Sequence, residues 1–293
     1  MNYIIGNEFY TATVSDHGAE LISLKHCSGT ELMWQSPTKD FWSKHAPLLF
    51  PIAGRIKNGE YTYGGKTYKM NSHGFISKAD FVVAEKTADS IKLVTKSNEE
   101  TLAQYPFEFE FTATYSLSGD TLCATVTVKN ESGVVMPFTF GWHPGFMLPR
   151  DENTDIESYS VDFGRGVDKI QWIPLVNGPF ARTYSEPFAL KDGKYALNEK
   201  QIYENDTMIF RDTPTSVILS DGKSYTLDFS WSENTPYLCI WKEPSHGAPF
   251  ICLEPWSGLP QNGIVDECFE TRPMHRLEPG ASESFSTFYK FTV

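Results

Sequence analysis

Two neighbouring segments of the chain alternate between apolar and polar residues with a period of two. In residues 107–117 the apolar side chains fall on odd positions, and Glu, Thr and Ser fall on even positions. After the turn Ser118-Gly119-Asp120, residues 121–129 alternate in the same way. Because successive side chains of a strand point to opposite faces, both segments are predicted to be half-buried strands. Together they predict an antiparallel hairpin with one face toward solvent.

Shorter runs of the same kind recur along the chain. They predict strands at residues 9–14, 19–26, 135–140, 207–210, 216–220, 225–231, 238–242, 250–253 and 285–291. Gly64-Gly65 between two Tyr- and Thr-rich runs predicts a two-residue hairpin. These elements favour an all-β fold, one antiparallel domain over residues 1–293 with the form of a large sandwich.

Helix signals are weak. One short helix is expected at Asn98–Gln104, capped by Ser97 or Asn98. Residues 148–204 are rich in Pro, Gly and Asp, so this region is predicted to form long loops with short strands.

Composition narrows the classes of function. The 293 residues carry a formal net charge of −12, which argues against nucleic acid and anionic membranes as partners. Five cysteines without a Cys-x-x-Cys pair predict neither a disulfide framework nor a zinc ribbon. The N-terminus has no basic region followed by a long apolar run, so we expect a cytoplasmic protein.

Two polar clusters in the first third of the chain are candidates for ligand binding. Arg55 follows an apolar run and a glycine, where its forked donors suit a ligand oxygen; a salt bridge to Glu60 is the alternative. His73 lies in Asn71-Ser72-His73-Gly74-Phe75, on a loop expected between hairpins. A surface histidine without a function is the alternative there.

Two further clusters follow apolar strands. His143 lies at a predicted corner before Pro144, where an imidazole between aromatic residues is suited to proton transfer; a core histidine bonded to a backbone carbonyl is the alternative. Glu254 ends a predicted apolar strand, and a carboxylate beside apolar surface has a raised pKa and can act as a base near neutral pH. An exposed glutamate at the strand end is the alternative. Trp256 either stacks on a sugar ring or belongs to the core.

Several well-known catalytic motifs are missing from the sequence. It contains no Gly-x-Ser-x-Gly elbow, no His-Glu-x-x-His metal motif, no phosphate-binding glycine loop and no dinucleotide fingerprint. We therefore expect no bound metal and no cofactor.

The four clusters together, in this order, resemble a known family. Gly54-Arg55, Asn71-Ser72-His73-Gly74-Phe75, Gly141-Trp142-His143-Pro144 and Cys252-Leu253-Glu254-Pro255-Trp256 are similar to motifs of the aldose 1-epimerase (galactose mutarotase-like) family, in particular its LacX-like branch. The resemblance extends over essentially the whole chain. It implies a galactose mutarotase-like β-supersandwich with a cleft in which a sugar ring opens and closes again.

The resemblance also implies roles for individual residues. Glu254 matches the general base of the family and His143 its general acid, while Arg55 and His73 match sugar-binding positions. The family uses an aspartate as well. Asp206 is the candidate, and the rivals for this position are Asp212 and Asp221.

The implied function is mutarotation of a free aldohexose by a monomer or homodimer. Relatives that act on hexose 6-phosphates often carry an arginine where this chain has Ser77, followed by Lys78. A hexose-6-phosphate mutarotase is therefore the nearest alternative. A non-catalytic carbohydrate-binding protein is the alternative from another class, since β-sandwiches serve both roles.

Overall fold

The computed structural model describes residues 1–36, 41–148, 155–176, 178, 180–243, 248–261 and 263–293. In chain order the strands are β1 (Asn2–Gly6), β2 (Tyr10–Ser15), β3 (Leu21–His26), β4 (Leu48–Leu49), β5 (Glu60–Tyr63), β6 (Lys66–Lys69), β7 (Val82–Lys86), β8 (Ser90–Lys96), β9 (Phe109–Ser118), β10 (Thr121–Asn130), β11 (Met136–Phe138), β12 (Gly141–Trp142), β13 (Gly145–Met147), β14 (Ser160–Asp162), β15 (Lys169–Ile173), β16 (Leu175–Val176), β17 (Phe180–Ala181), β18 (Glu186–Ala189), β19 (Lys194–Ala196), β20 (Thr207–Arg211), β21 (Ser216–Ser220), β22 (Thr226–Trp231), β23 (Tyr237–Trp241), β24 (Phe250–Trp256), β25 (His275–Leu277) and β26 (Ser282–Thr292). The α-helices are α1 (Glu99–Gln104) and α2 (Glu199–Glu204), and short 3-10 turns lie at Lys57–Gly59, Ile76–Lys78 and Ile156–Ser158.

Two large sheets contain most of these strands. The nine-stranded sheet has the order β19-β14-β21-β22-β26-β10-β9-β8-β7. The eight-stranded sheet has the order β18-β15-β20-β23-β24-β12-β4, with β13 also paired to β24. Their neighbouring strands pair antiparallel. The all-β antiparallel fold class is therefore confirmed.

The main core lies between the two large sheets. It joins inward side chains of the nine-stranded sheet with those of the eight-stranded sheet, among them Phe111, Val126, Phe229, Phe210, Ile240 and Leu253. The opposite face of the eight-stranded sheet carries a second apolar cluster that includes Ile209, Cys239 and Trp256. Strands buried on both faces carry near-continuous apolar runs, and β24 is such a strand.

The strongest sequence patterns gave the most accurate predictions. The hairpin of β9 and β10 forms with Leu117 opposite Leu122. The odd-numbered apolar residues of β9 and the even-numbered apolar residues of β10 are buried. The Gly64-Gly65 hairpin joins β5 and β6. Helix α1 is capped by Asn98, whose side chain accepts from the Thr101 amide.

Other predictions need correction. The strand expected at 135–140 ends at Phe138, and β12 begins only at Gly141. Strand β1 pairs with β2 although no strand was expected there. The region 148–204 does contain short strands, but it also contains helix α2, capped by Asn198, which we did not expect. Among the described residues, no helix has the length and apolar character that a membrane crossing requires.

Candidate active site

Strand β24 carries Glu254 through the interior of the protein. All residues of Phe250–Trp256 are buried, and Glu254 is only 1% exposed. The expectation that Glu254 ends the strand is wrong, because the ladder with β23 continues through Pro255 and Trp256. The alternative given for Glu254, an exposed glutamate at the strand end, is wrong as well. A carboxyl group in the middle of a buried strand is costly for stability, so it needs either a partner or a function.

The other edge of β24 is interrupted beside Glu254. Strand β12 pairs with β24 at Trp256, and β13 pairs with it only from Cys252 backward, so residues 253–255 form no ladder pairs on that side. Pro255 lies in this gap and Pro144 lies between β12 and β13. Neither proline has an amide hydrogen to donate, which accounts for the interruption.

His143 lies in this interruption, directly beside Glu254. Its Nε2 is 3.4 Å from Oε2 of Glu254, and the residue is 8% exposed. The imidazole stacks on Trp42 with ring centroids 4.9 Å apart and meets His73 edge-on at 5.6 Å. Nδ1 of His143 and Oε1 of Glu254 are buried with no hydrogen-bond partner among the described residues. No carbonyl of another described residue accepts from the ring, so the structure gives no support to the alternative of a core histidine bonded to a backbone carbonyl.

Burial moves the two pKa values in opposite directions. Burial raises the pKa of Glu254 well above its usual range, although Nε1–H of Trp256 donates to Oε2 at 3.1 Å and opposes this rise. Burial, and next the nearby His73, lowers the pKa of His143 well below its usual range. A neutral carboxylic acid beside a neutral imidazole is thus favoured over the ion pair. The pair then holds one proton in a site shielded from water.

His73 is held by a reciprocal contact with Gly54. The His73 amide donates to the Gly54 carbonyl at 2.8 Å, and the Gly54 amide donates to His73 Nδ1 at 3.1 Å. Burial, and next the charge of Arg55, lowers the pKa of His73 to about 4. A neutral ring that accepts at Nδ1 carries its proton on Nε2. His73 is therefore a fixed hydrogen-bond donor.

The loop that carries His73 fits only because a glycine follows it. Gly74 has φ +72°, and a Cβ atom there would lie 2.1 Å from the Phe50 carbonyl oxygen. His73 itself adopts φ +62°, in the left-handed region that non-glycine residues rarely occupy. Such conformations persist where the surroundings enforce them and are frequent at functional sites.

Arg55 and Asp206 both border the cleft into which Glu254 and His143 face. Arg55 is exposed, and no ion pair with Glu60 forms within the described part of the chain. Asp206 follows helix α2 with φ +58°. Its rivals lie elsewhere: Asp212 is paired with a neighbouring arginine at 3.5 Å, and Asp221 accepts from the backbone amides of its own turn.

The cleft, which we call the inner cleft, brings all six sequence-predicted residues together. Its volume is about 270 Å³. It is lined by Trp42, Lys44, Pro47, Leu49, Gly54, Arg55, Ser72, His73, Ser77, His143, Leu175, Asp206, Thr207, Ile209, Trp241, Glu254, Trp256 and Pro260. Lys78 borders a different surface depression, so it does not supply a cation here.

Trp42 and Lys44 line the inner cleft without having been predicted. Their loop is fixed by Glu20, a buried residue whose Oε1 accepts the amides of His45 at 2.7 Å and Ala46 at 3.0 Å. Lys44 Nζ lies 3.8 Å from Oε2 of Glu20, so its charge is partly neutralised. The only sequence signal was an aromatic residue close to a cation in an otherwise irregular segment.

One group of residues in the described chain has a spacing suited to a metal ion. Ligand atoms of His143, Cys252 and Glu254 all lie within 4.8 Å of one another. These are ligand types that zinc accepts. Burial raises the pKa of the Cys252 thiol well above its usual range, with Glu254 as the next cause. Metal binding requires deprotonated ligands, so an ion here would have to displace the protons of the Cys252 thiol and the Glu254 carboxyl group.

The chain is similar to known proteins in both sequence and structure. The family model described as "Aldose 1-epimerase" matches residues 1–290. The chain is 29% identical over 290 residues to "Protein LacX, chromosomal" of Lactococcus lactis, which covers 93% of each chain.

Two solved structures share the fold. A galactose mutarotase related enzyme from Lactobacillus acidophilus has a TM-score of 0.92 and 33% identity, covering 100% of this chain and 98% of its own. A galactose mutarotase-like protein from Lactobacillus casei has a TM-score of 0.90 and 27% identity, covering 99% of this chain and 100% of its own. The galactose mutarotase-like fold and the LacX-like resemblance are therefore confirmed. The chain belongs to the aldose 1-epimerase family.

Proposed function

We propose that this protein interconverts the α and β anomers of a free aldohexose by acid–base opening and closing of the sugar ring. The observation that carries the proposal is the buried pair at the centre of the inner cleft, with Nε2 of His143 3.4 Å from Oε2 of Glu254. Mutarotation needs a group that removes the proton from the C1 hydroxyl and a group that protonates the ring oxygen. A carboxylate and an imidazolium supply both.

The pair has the right number of protons for this reaction. Glu254 takes the C1 hydroxyl proton while His143 gives its proton to the ring oxygen, and the C1–O5 bond breaks to leave an open-chain aldehyde. Rotation about C1–C2 and reversal of the two transfers close the ring on either face. Ring opening starts from ionised Glu254 and protonated His143. That form has the same single proton as the neutral pair, so it arises by proton transfer within the pair.

Four further residues are proposed to hold the sugar. His73 offers Nε2–H as a donor, and Arg55 offers its guanidinium to hydroxyl groups or to charge that develops on the ring oxygen. Asp206 has the complementary role, because its carboxyl oxygens accept hydrogen bonds from sugar hydroxyl groups. Trp256 provides an apolar surface for a sugar face while its Nε1–H holds Glu254 in place.

The inner cleft also contains two cations, Lys44 and Arg55, and these favour a 6-phosphate as an alternative substrate. We rank the free sugar first. Ser77 stands where relatives that act on hexose 6-phosphates often carry an arginine, and Glu20 lies 3.8 Å from the ammonium of Lys44. A binding protein without activity is ranked below both, since sugar binding alone does not require a matched acid and base.

Anomer exchange measured by NMR tests the proposal. The protein is mixed with freshly dissolved α-glucose, α-galactose and their 6-phosphates, and the return to equilibrium is followed against a protein-free solution. We expect the free sugars to have the higher kcat/KM. Faster exchange of the 6-phosphates would reverse the ranking of the two enzymatic functions. Binding without faster exchange of any sugar would favour the binding protein.

A further inference from the structure

A buried thiol, Cys252, lies beside the acid–base pair and has no part in the proposed reaction. Cys252 and Glu254 are two positions apart on β24, so their side chains point to the same face of the strand. His143 reaches that face from the corner between β12 and β13. Ligand atoms of the three residues all lie within 4.8 Å of one another.

The spacing of the acid–base pair matches the bond geometry of zinc. Zinc binds imidazole nitrogen and carboxylate oxygen at about 2.0–2.1 Å, with tetrahedral angles. With such bonds, the 3.4 Å between Nε2 of His143 and Oε2 of Glu254 corresponds to an angle of about 110° at the ion. The sulfur of Cys252 needs a shift on the order of 1 Å to take a third tetrahedral position at its usual bond length.

The pair also has atoms to which the protein offers no bond. Oε1 of Glu254 and Nδ1 of His143 are buried and have no hydrogen-bond partner among the described residues. Buried polar atoms normally have partners, so each exception needs an explanation. Cys252 is fully buried, whereas His143 and Glu254 line the inner cleft. An ion that enters through the cleft can therefore contact the carboxylate, with its fourth ligand position toward the cleft.

Charge balance determines which kind of cation fits. A buried charge is tolerated when it is neutralised. A thiolate at Cys252 and a carboxylate at Glu254, with a neutral His143, are balanced by one divalent ion. The next charges that act on the thiol, Lys242 and Glu243, shift its pKa in opposite directions. Thiolate and imidazole ligands suit zinc and similar ions, whereas Mg²⁺ and Ca²⁺ need about six or more ligands that are mostly oxygen.

We propose that His143, Cys252 and Glu254 form an inhibitory site for a thiophilic divalent cation, with Zn²⁺ as the probe. Binding releases the protons of the thiol and the carboxyl group. The ion then occupies the lone pairs of Nε2 and Oε2 that proton transfer to and from a sugar requires. The metal site stands on its own geometry, whereas the inhibition rests on the proposed function.

Anomer exchange of glucose by metal-free protein tests the inhibition. We expect about 10–100 μM Zn²⁺ to slow exchange by about tenfold or more, in competition with glucose, and EDTA to reverse this. Mg²⁺ at about 1 mM should have no effect. Cys252→Ala should keep glucose exchange within about threefold of wild type, while the zinc concentration for half-inhibition rises by at least about tenfold.

Cys27→Ala is the matched control. Cys27 is exposed, and its sulfur lies 3.6 Å from Nε2 of His26, so it offers a second cysteine–histidine pair on the surface. Its removal should leave the zinc inhibition unchanged. Zinc inhibition that Cys252→Ala retains, or that Cys27→Ala removes, would overturn the proposal. An active wild-type protein that zinc does not inhibit would overturn it as well.

Co²⁺ tests the metal site independently of catalysis. Co²⁺ accepts the same ligands as zinc, and its bond to a thiolate gives a charge-transfer absorption in the near ultraviolet. We expect this absorption in wild type and in Cys27→Ala but not in Cys252→Ala. If no sugar shows faster exchange, the proposed function fails and the cobalt spectra alone decide the site. No absorption in wild type, or the same absorption in Cys252→Ala, contradicts it.

Discussion

Glu254→Gln separates the catalytic role of this residue from its effect on folding. The substitution preserves the shape of the side chain but removes a proton acceptor from the inner cleft. General acid–base groups contribute about 100- to 10,000-fold to rate, so kcat for anomer exchange should fall by at least about 100-fold. At about 1.4 kcal/mol per tenfold, that is a loss of roughly 3–5 kcal/mol of transition-state stabilisation.

The same substitution should not destabilise the protein. Because burial raises the pKa of Glu254, the folded state binds its proton more tightly than the unfolded state does. The stability contributed by that proton is fully present below the unfolded pKa and is lost as pH rises toward the folded pKa. At pH 8 the neutral amide avoids this loss. Its oxygen, at the position of Oε2, can accept from Nε1–H of Trp256.

We therefore expect the free energy of unfolding of Glu254→Gln at pH 8 to equal or exceed that of wild type, because burial raises the pKa of Glu254 and the amide carries no charge. The difference should shrink at pH 5. Urea unfolding at both pH values measures it, with exposed Glu8→Gln as the control. Near wild-type exchange in folded Glu254→Gln would refute the catalytic role, and a stability loss at pH 8 larger than at pH 5 would refute the electrostatic reasoning.

Four further predictions follow from the site. First, the dependence of kcat/KM on pH should be bell-shaped because the active pair holds one proton. The pKa of His143 is lowered and that of Glu254 is raised, so the acidic limb reports mainly His143. A His143→Asn variant should therefore lose that limb. Second, Arg55→Ala should weaken glucose binding in calorimetry and also slow exchange, whereas an effect on neither would exclude Arg55 from the site. Third, EDTA should leave exchange rates unchanged, and a loss restored by one divalent ion would show that a metal is required. Fourth, Gly74→Ala should lower the free energy of unfolding in urea by about 2–4 kcal/mol, because its Cβ would lie 2.1 Å from a carbonyl oxygen. Gly64→Ala, also at positive φ but with nothing within 4 Å of the added Cβ, should cost clearly less. Equal losses would disprove the steric cause.

The sequence predicted the residues of the inner cleft better than their surroundings. Glu254 was identified from its apolar neighbours, but its place in the middle of β24 was missed because Pro255 suggested a strand end. A proline is compatible with the strand here only because the adjacent edge is unpaired, which is a property of the tertiary structure. In the sequence, Pro144 marked the opposite side of the same unpaired stretch.

Other features had little or no local signal. Lys44 and Trp42 lie on a loop that bonds to Glu20, more than twenty residues earlier in the chain, and to Glu243, which accepts from the Trp42 amide. Helix α2 has six residues and buries only Ile202, too short a segment for a helical period to be recognised. A second cleft, with a volume of about 750 Å³, combines segments from residues 181–183, 233–237, 257–261 and 265–275, which only the folded chain brings together.

The position of β26 has a consequence for synthesis on the ribosome. In the nine-stranded sheet, Ser282–Thr292 lies between β22 and β10 and pairs with both. The strands made earlier therefore form two separate sets, each with an open edge, until residues 282–292 emerge. Open strand edges in a partly folded chain promote pairing with other chains. Nascent protein should therefore depend most on chaperones in the interval before residues 282–292 emerge from the ribosome.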